Sequence, residues 1–300
     1  MEVRVLRYFI AVVQEGTISN AAKHLHVSQP TLSRQLMDLE SELGITLFER
    51  GHRQINLTQE GYYLFERAQE ITGLIDKTET DLQSQKIISG TLNIGAGESN
   101  SLRSLMNVIA EIIKKYPNIK VNLISGDSDF IYHHLNHGML DFGVVMGPEK
   151  LLNYHSIILP QKNTWGILAP KDHPIAKKEK VTPKDLIGFP LLTSAQSKQQ
   201  DVFRNWAGPL NDQFNFIGQY NLIFNARLLA ETGACLALTY ENLININETN
   251  LVFRPLTPKI SDQNNLIWNK NMQLSNVAQV FLKLLKNELN NKTAKSQLEK

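Results

Sequence analysis

One cysteine in 300 residues is the first shortage this chain shows. Cys235 can form no intramolecular disulfide and no zinc site of paired cysteines, which suits a reducing, cytoplasmic setting. It sits in the apolar run GACLAL, where a packed thiol is expected. Long apolar runs are missing too. The N-terminal run Tyr8–Val13 is too short for the core of a signal peptide, and no later segment reaches the ~18 apolar residues that suggest a membrane span. Charge of one sign is equally scarce, with a formal net charge of +2. Within residues 1–58, Arg4, Arg7, Lys23, Arg34, Arg50 and Arg53 balance Glu2, Glu15, Asp38, Glu40, Glu42 and Glu49. A case for nucleic-acid binding must therefore rest on where charges sit, not on their sum. Catalytic signatures are absent as well: there is no GxSxG elbow, no Walker lysine loop and no HExxH. GAGESN lacks the third glycine and the lysine of a phosphate loop. HHLNH sets His133 and His137 four apart beside His134, but no third metal ligand follows from spacing. The expectation is a protein that is not an enzyme and has no metal or cofactor.

What is present describes ordinary globular domains, with 42% apolar and 20% charged residues. The opening sixty residues predict three short helices. Val5, Phe9, Val12 and Val13 share one face of the first, which Gly16 ends. The second starts with Ser19 as its cap and packs Ala21, Ala22 and Leu25 inward. The third follows Ser28, a cap, and tolerates Pro30 because N–H groups of an opening turn have no intrahelical partner. Leu32, Leu36, Leu39 and Leu43 then form one apolar stripe. At ~100° per residue from Leu32, Pro30, Ser33 and Arg34 fall about 160°, 100° and 200° away. Gln29 lies at the helix tip. His26 and Val27 alone separate the second and third helices, which is helix-turn-helix spacing. A helix entering a major groove leads with its N-terminal residues, where amide and guanidinium groups reach base edges. A short strand, Gln54–Leu57, follows a basic tip of Arg50, His52 and Arg53, as in a wing that lies along a DNA backbone or enters a minor groove.

The order AAKHLHVSQPTLSRQLMDLESELGITLFER…INLTQEG resembles the winged helix-turn-helix of the LysR-type transcriptional regulators over about sixty nearly gap-free residues. That resemblance implies a major-groove role for Gln29, Pro30, Ser33 and Arg34, with Thr31 and Arg53 contacting phosphate or forming the wing. Double-stranded promoter DNA and RNA polymerase become the expected partners.

After Thr58, a cap, a helix is predicted to run to about Ser89. Leu64, Ala68, Ile71, Ile75, Thr78 and Leu82 alternate at four and three residues, the pattern of a two-stranded seam. Two winged helices on a symmetric pair read two half-sites whose binding free energies reinforce each other. LysR-type proteins use this helix for dimerisation, and many are tetramers.

From Gly90 the pattern becomes βαβ. TLNIGAG, KVNLIS, DFGVVM, WGILAP, FPLLTS, FNFIGQY, CLALTY and LIWNK read as strands, with helices over LRSLMNVIAEIIKKY, near Gln199–Trp206, over Ile223–Thr232 and over Asn276–Leu289. The fold class is multidomain: an N-terminal all-α winged helix-turn-helix (1–58), a long linker helix (59–89) and a C-terminal α/β domain (90–300). The last is expected to have two lobes, about 90–161 with 267–300, and about 162–266. LysR-type effector domains resemble type 2 periplasmic binding proteins, so a small-molecule effector is expected between the lobes, at strand C-termini. That rule selects Ser99, Ser101, Thr193, Ser194 and Asn221, and the resemblance implies that a hydroxyl at Ser99 touches the effector. Helix capping explains each of these residues equally well. Glu98 complicates the ligand's chemistry. A carboxylate ~5 Å from an anion would oppose it by about 1–3 kcal/mol at an effective dielectric of ~20–60. Either Glu98 points outward or the effector is not a simple organic acid. The reading is a DNA-binding regulator switched by an effector; the alternative is a regulator or architectural DNA binder whose C-terminal domain only oligomerises.

Overall fold

The computed structural model describes residues 1–49, 55–83, 89–147, 151–199 and 201–298 and divides into two units, Met1–Gln85 and Lys86–Lys300. The first unit holds α1 (Val3–Glu15), α2 (Ile18–His24), α3 (Gln29–Leu43) and α4 (Gln59–Gln83). Helix α1 buries Val5, Leu6, Phe9 and Val12 and ends at Gly16, whose φ of 69° suits glycine. Helix α2 begins earlier than the sequence suggested. Its cap is Thr17, whose side chain accepts the Asn20 N–H at 3.1 Å, and Ser19 lies inside the first turn. Ser28 caps α3 as expected, accepting the Thr31 N–H at 3.3 Å. Leu32, Leu36 and Leu39 are buried, but Leu43 is exposed because the helix has reached its glycine terminator, Gly44.

These side chains share one core with Leu47, Leu57, Leu64 and Ala68. Phe48 and Leu57 form an antiparallel bridge, flanked by hydrogen bonds from Glu49 N to Asn56 O (2.9 Å) and from Thr58 N to Leu47 O (3.1 Å). The expected strand Gln54–Leu57 is thus reduced to that bridge among the described residues. Its basic tip (Arg50, His52, Arg53) and Gln54 lie outside them. Thr58 starts α4 by accepting the Gly61 N–H at 3.0 Å. Gly61 is required here, since a Cβ would stand 2.2 Å from the Leu47 carbonyl oxygen.

Helix α4 corrects part of the predicted seam. Leu64 and Ala68 are buried in the chain's own core against α1, with Thr72 buried one turn further on. Arg7 of α1 closes the contact on Asp76 through two hydrogen bonds of 2.5 and 3.3 Å. Leu64 and Ala68 are therefore unavailable to a second chain, and Ile75 is only half-exposed. The open stripe is Ile71 (37% exposed), Leu74 (41%) and Thr78. The Leu82 side chain lies outside the description.

The second unit runs β1 (Gly90–Ala96), α5 (Arg103–Lys115), β2 (Ile119–Ser125), α6 (Ser128–Asn136), β3 (Phe142–Met146) and β4 (Tyr154–Pro170). It continues with α7 (Pro183–Leu186), β5 (Pro190–Ser194), α8 (Ala195–Gln199), α9 (Val202–Ala207) and β6 (Asn215–Tyr220). It ends with α10 (Ile223–Glu231), β7 (Leu236–Tyr240), β8 (Leu251–Pro255), β9 (Ser261–Asn269) and α11 (Asn276–Leu298). The strand order is β2-β1-β3-β9-β4-β7-β5-β6, with β8 also on β4. Pairs β1/β2, β1/β3, β5/β6 and β5/β7 are parallel, as the βαβ pattern predicts, while β9 is antiparallel to β3 and β4.

Strand β4 joins the two halves. Residues 154–164 pair with β9, through a register shift between Ile158 and Lys162, whereas residues 165–170 pair with β7 and β8. The sequence suggested only WGILAP as strand here. Each half has its own core, one around Leu92, Phe142 and Phe281, the other around Trp165, Leu191 and Leu238. The C-terminal ends of β1, β2, β5, β6 and β7 meet where the halves adjoin.

Candidate functional site

In the first unit the capped start of α3 sets the site. Gln29, Pro30, Thr31 and Arg34 are exposed and Ser33 is half-buried, all beside the buried stripe that fixes the helix in place. The Ser19 hydroxyl donates to Gln29 Oε1 at 3.0 Å, so α2 orients the amide at the tip. Sequence reading gave Ser19 a cap's role; its contact is with Gln29 at the start of α3 instead. Thr31 shares a 2.7 Å hydroxyl–hydroxyl bond with Ser28. Arg34 makes no ion pair among the described residues, and its guanidinium retains its donor fork. Arg53 lies outside the description.

In the second unit a cleft opens at the strand ends. Of the expected ligand residues, Ser194 and Asn221 line it. Ser99 does not; it borders an adjoining cavity. Ser101 and Thr193 are buried, at 6% and 1% exposure, away from the cleft wall. The reason is an internal network. Ser99 Oγ donates to Asn163 Oδ1, Asn163 Nδ2 to Asn264 Oδ1 (2.9 Å), and Asn264 Nδ2 to Ser101 Oγ, with Ser99 and Ser101 bonded at 2.7 Å. Thr193 bonds the Ser197 hydroxyl at 2.9 Å. Ser99, Ser101 and Thr193 thus tie the crossing strands and α8 together through these hydrogen bonds.

Residues that the sequence reading missed complete the cleft: Gly97, Gly126, Asp127, Met146, Trp165, Tyr220, Thr239 and Tyr240. Glu98 lines it too, which answers the question of where it points. The strand-end rule already held the signal for several of them. Asp127 follows β2, Met146 ends β3, and Thr239 and Tyr240 end β7. Trp165 carries no such mark. Its indole N–H donates to Asp262 Oδ2 at 2.5 Å, the Tyr240 hydroxyl donates to the same oxygen at 2.7 Å, and the two rings lie 4.3 Å apart. Burial, together with the neighbouring Asp262, holds the Tyr240 phenol protonated far above its usual range. Burial does the same for Tyr220, whose hydroxyl donates to the Leu238 carbonyl at 2.6 Å.

Three short segments near this wall start with a leading N–H capped from within: Ser99 caps the Ser101 N–H (3.0 Å), Asp127 the Phe130 N–H (2.9 Å) and Ser194 the Ser197 N–H (3.1 Å). Helix α10 starts without a side-chain cap; Asn221 Oδ1 accepts the N–H of Leu222, the residue before it, at 2.8 Å. The histidines of HHLNH lie on α6 and its C-cap. His134 and His137 turn Nδ1 to the carbonyls one turn back, at 2.8 and 2.7 Å. Among the described residues no cluster of three His, Cys, Asp or Glu could hold a metal ion, and no helix is long and apolar enough to cross a membrane.

Both units match known families. Residues 3–62 match the bacterial regulatory helix-turn-helix protein model of the lysR family, and residues 86–290 match the LysR substrate binding domain. The chain therefore belongs to the LysR family of transcriptional regulators. It is 32% identical to the HTH-type transcriptional regulator AlsR of Bacillus subtilis (strain 168), over 69% of this chain and 68% of that protein. A probable RuBisCO transcriptional regulator of Cyanidioschyzon merolae (strain NIES-3377 / 10D) is 33% identical over 60% of this chain and 61% of its own length. In fold the chain is similar to CbnR, a LysR family transcriptional regulator, with a TM-score of 0.74 at 20% identity, covering 96% of this chain and 99% of that one. It is also similar to full-length CbnR complexed with its target DNA, with a TM-score of 0.72 at 20% identity over 96% of this chain and 100% of that one.

Proposed function

We propose that the chain is a sequence-specific DNA-binding switch in which residues 1–58 read DNA, 59–89 pair two copies and 90–300 sense a small molecule. The observation that carries this reading is the exposed, doubly anchored tip of α3. Ser28 caps it, Ser19 orients Gln29, and Arg34 stands beside them with its donor fork open. Such a tip brings an amide and a guanidinium to base edges, and the positive end of the helix favours nearby phosphate. Thr31 and the wing residue Arg53 would hold the backbone.

Pairing is proposed through the outward stripe of α4, Ile71, Leu74 and Thr78. A further homotypic surface is offered by the edge strand β2 and by α10, which expose Leu123, Ile124, Phe224, Leu228 and Leu229. Two self-complementary surfaces on one chain permit a tetramer.

Ser194, Asn221, Trp165, Tyr240 and Thr239 form the proposed effector wall. Occupancy of the cleft biases one angle between the halves, and assembly transmits that bias to the spacing or bend of bound DNA. DNase footprinting on fragments selected from random DNA, with and without metabolite pools, tests this. A footprint and transcript level that ignore every pool, and ignore a Ser194→Trp plug, would leave the oligomerisation-only alternative standing.

A further inference from the structure

The outer face of α3 carries one side chain that hydrogen bonding to base edges does not use. Met37 is 64% exposed and takes no part in the core of the first unit. At ~100° per residue it falls about 140° from Leu32, between Ser33 (about 100°) and Arg34 (about 200°) and beside Pro30 (about 160°). Among the described residues of α3, the exposed apolar ones are Pro30, Met37 and Leu43. Leu43 continues the buried stripe, which leaves Met37 as the large apolar group on the opposite face. Exposure alone says little, because single apolar side chains are common on protein surfaces. Its position says more, for it stands in the middle of the sector that holds Pro30, Ser33 and Arg34.

The charges of the helix narrow what Met37 meets. Beyond Arg34, α3 carries no lysine or arginine, and Asp38, Glu40 and Glu42 follow. That part of the helix repels phosphate, so a contact there must be with a base edge. Donors and acceptors line the major groove at every base pair, but its one apolar group is the C5 methyl of thymine. Met37 lies one turn beyond Ser33 and about 4.5 Å along the helix from Arg34, against a base-pair step of ~3.4 Å. Its unbranched, polarisable side chain adapts to a surface as small as a methyl group.

Resting on the reading of α3 as the helix that enters the major groove, we infer that Met37 is a specificity-determining residue that packs on the C5 methyl of a thymine. It selects T·A at a base pair within a step or two of the one met by Arg34.

The test uses the full chain and the duplex it selects from random DNA, with each thymine replaced in turn by deoxyuridine, which removes the methyl alone. Affinities are compared at one salt concentration. At one position in each half-site, uracil should weaken binding about fourfold, the size of one buried methyl-sized group. Met37→Ala should weaken binding to the unmodified duplex by a similar factor and show no further loss with uracil, whereas Met37→Leu should keep the sensitivity. The melting temperature should hold, because the side chain is exposed. A uracil effect that persists undiminished in Met37→Ala, or no uracil effect at any position, would remove Met37 from the reading face while Arg34→Ala still judges the helix itself. Selection that enriches no sequence would overturn both readings. A changed sedimentation coefficient for Met37→Ala would also overturn the assignment, by placing the side chain between copies of the chain.

Discussion

In the N-terminal unit, Pro30, Thr31 and Arg34 stand exposed on a helix whose opposite face is locked by Leu32, Leu36 and Leu39. In the second unit the equivalent small polar residues, Ser99, Ser101 and Thr193, are drawn into hydrogen bonds with Asn163, Asn264 and Ser197. The two regions meet the same demand differently. A reader helix needs its polar side chains free, because DNA supplies the partners from outside. A domain whose strands cross between halves must first satisfy its own buried polar groups, and only what remains at the cleft wall can meet a ligand. What remains there is aromatic and acidic.

The largest expected effect separates the units outright. Phe9 is fully buried among α1, Phe48 and Phe65. Phe9→Ala should cost about 3–5 kcal/mol in the first unit. Calorimetry should show DNA binding and one thermal transition lost, with the transition of residues 86–300 retained; a single shared transition would erase the distinction between independent units.

Next in size is the second unit's internal network. Asp262→Ala removes the shared acceptor of the Trp165 and Tyr240 donors and should cost about 3 kcal/mol. Chemical denaturation followed by tryptophan fluorescence would register it, and an unshifted midpoint would mean that these bonds do not hold the crossing.

Arg34→Ala sharpens the other side of the comparison. If the guanidinium reads a base, about 1–3 kcal/mol of discrimination disappears at one base pair. Equal weakening on selected and random DNA, at one salt concentration, would assign Arg34 to phosphate instead.

The α4 correction makes a paired test. Ile71→Asp should dissociate copies with the unit still folded, whereas Ala68→Asp should unfold the unit, because its side chain faces α1. Sedimentation with circular dichroism distinguishes them, and identical behaviour of the two variants would return the seam to its original phase.

The smallest effect is pH-linked and confined to the second unit. Burial pushes the Asp185 carboxyl up, but the Lys178 ammonium at 2.9 Å and the Thr182 N–H and hydroxyl, both at 2.8 Å, outweigh it and hold it below its ordinary range. Because the folded-state value is the lower one, its stabilisation is present at neutral pH and is lost as pH falls through that lowered value, below about 4. Asp185→Asn should therefore cost about 1 kcal/mol at pH 7 and nearly nothing at pH 3. A difference independent of pH would show that the capping box works without charge.

Legibility followed the range of the interactions. The Ser28 cap, Pro30 in the first turn and the Leu32–Leu39 stripe act within a few residues, so the reader helix could be read directly. The first half of β4 could not. Pro160, Gln161, Lys162 and Asn163 look like a loop until β9, about a hundred residues later, pairs with Lys162 and Asn163. The burial of Leu64 and Ala68 within the chain's own core was hidden for a related reason. Alternation at four and three residues is shared by two neighbouring stripes of α4, and only the arrival of α1 determines which one is covered. Ser99 and Ser101 follow a strand end as expected, but their hydrogen bonds were not legible, because Asn163 and Asn264, their partners, lie 64 and 163 residues away.

The amino-acid order by itself determined the capped helix α3, the long helix α4 and an alternating α/β domain, since propensity, capping and periodicity are local. Only the tertiary structure decided which polar groups remain available. Hydrogen-bonding capacity is finite, and whether a hydroxyl or carboxylate meets a ligand depends on which distant backbone or side chain reaches it first.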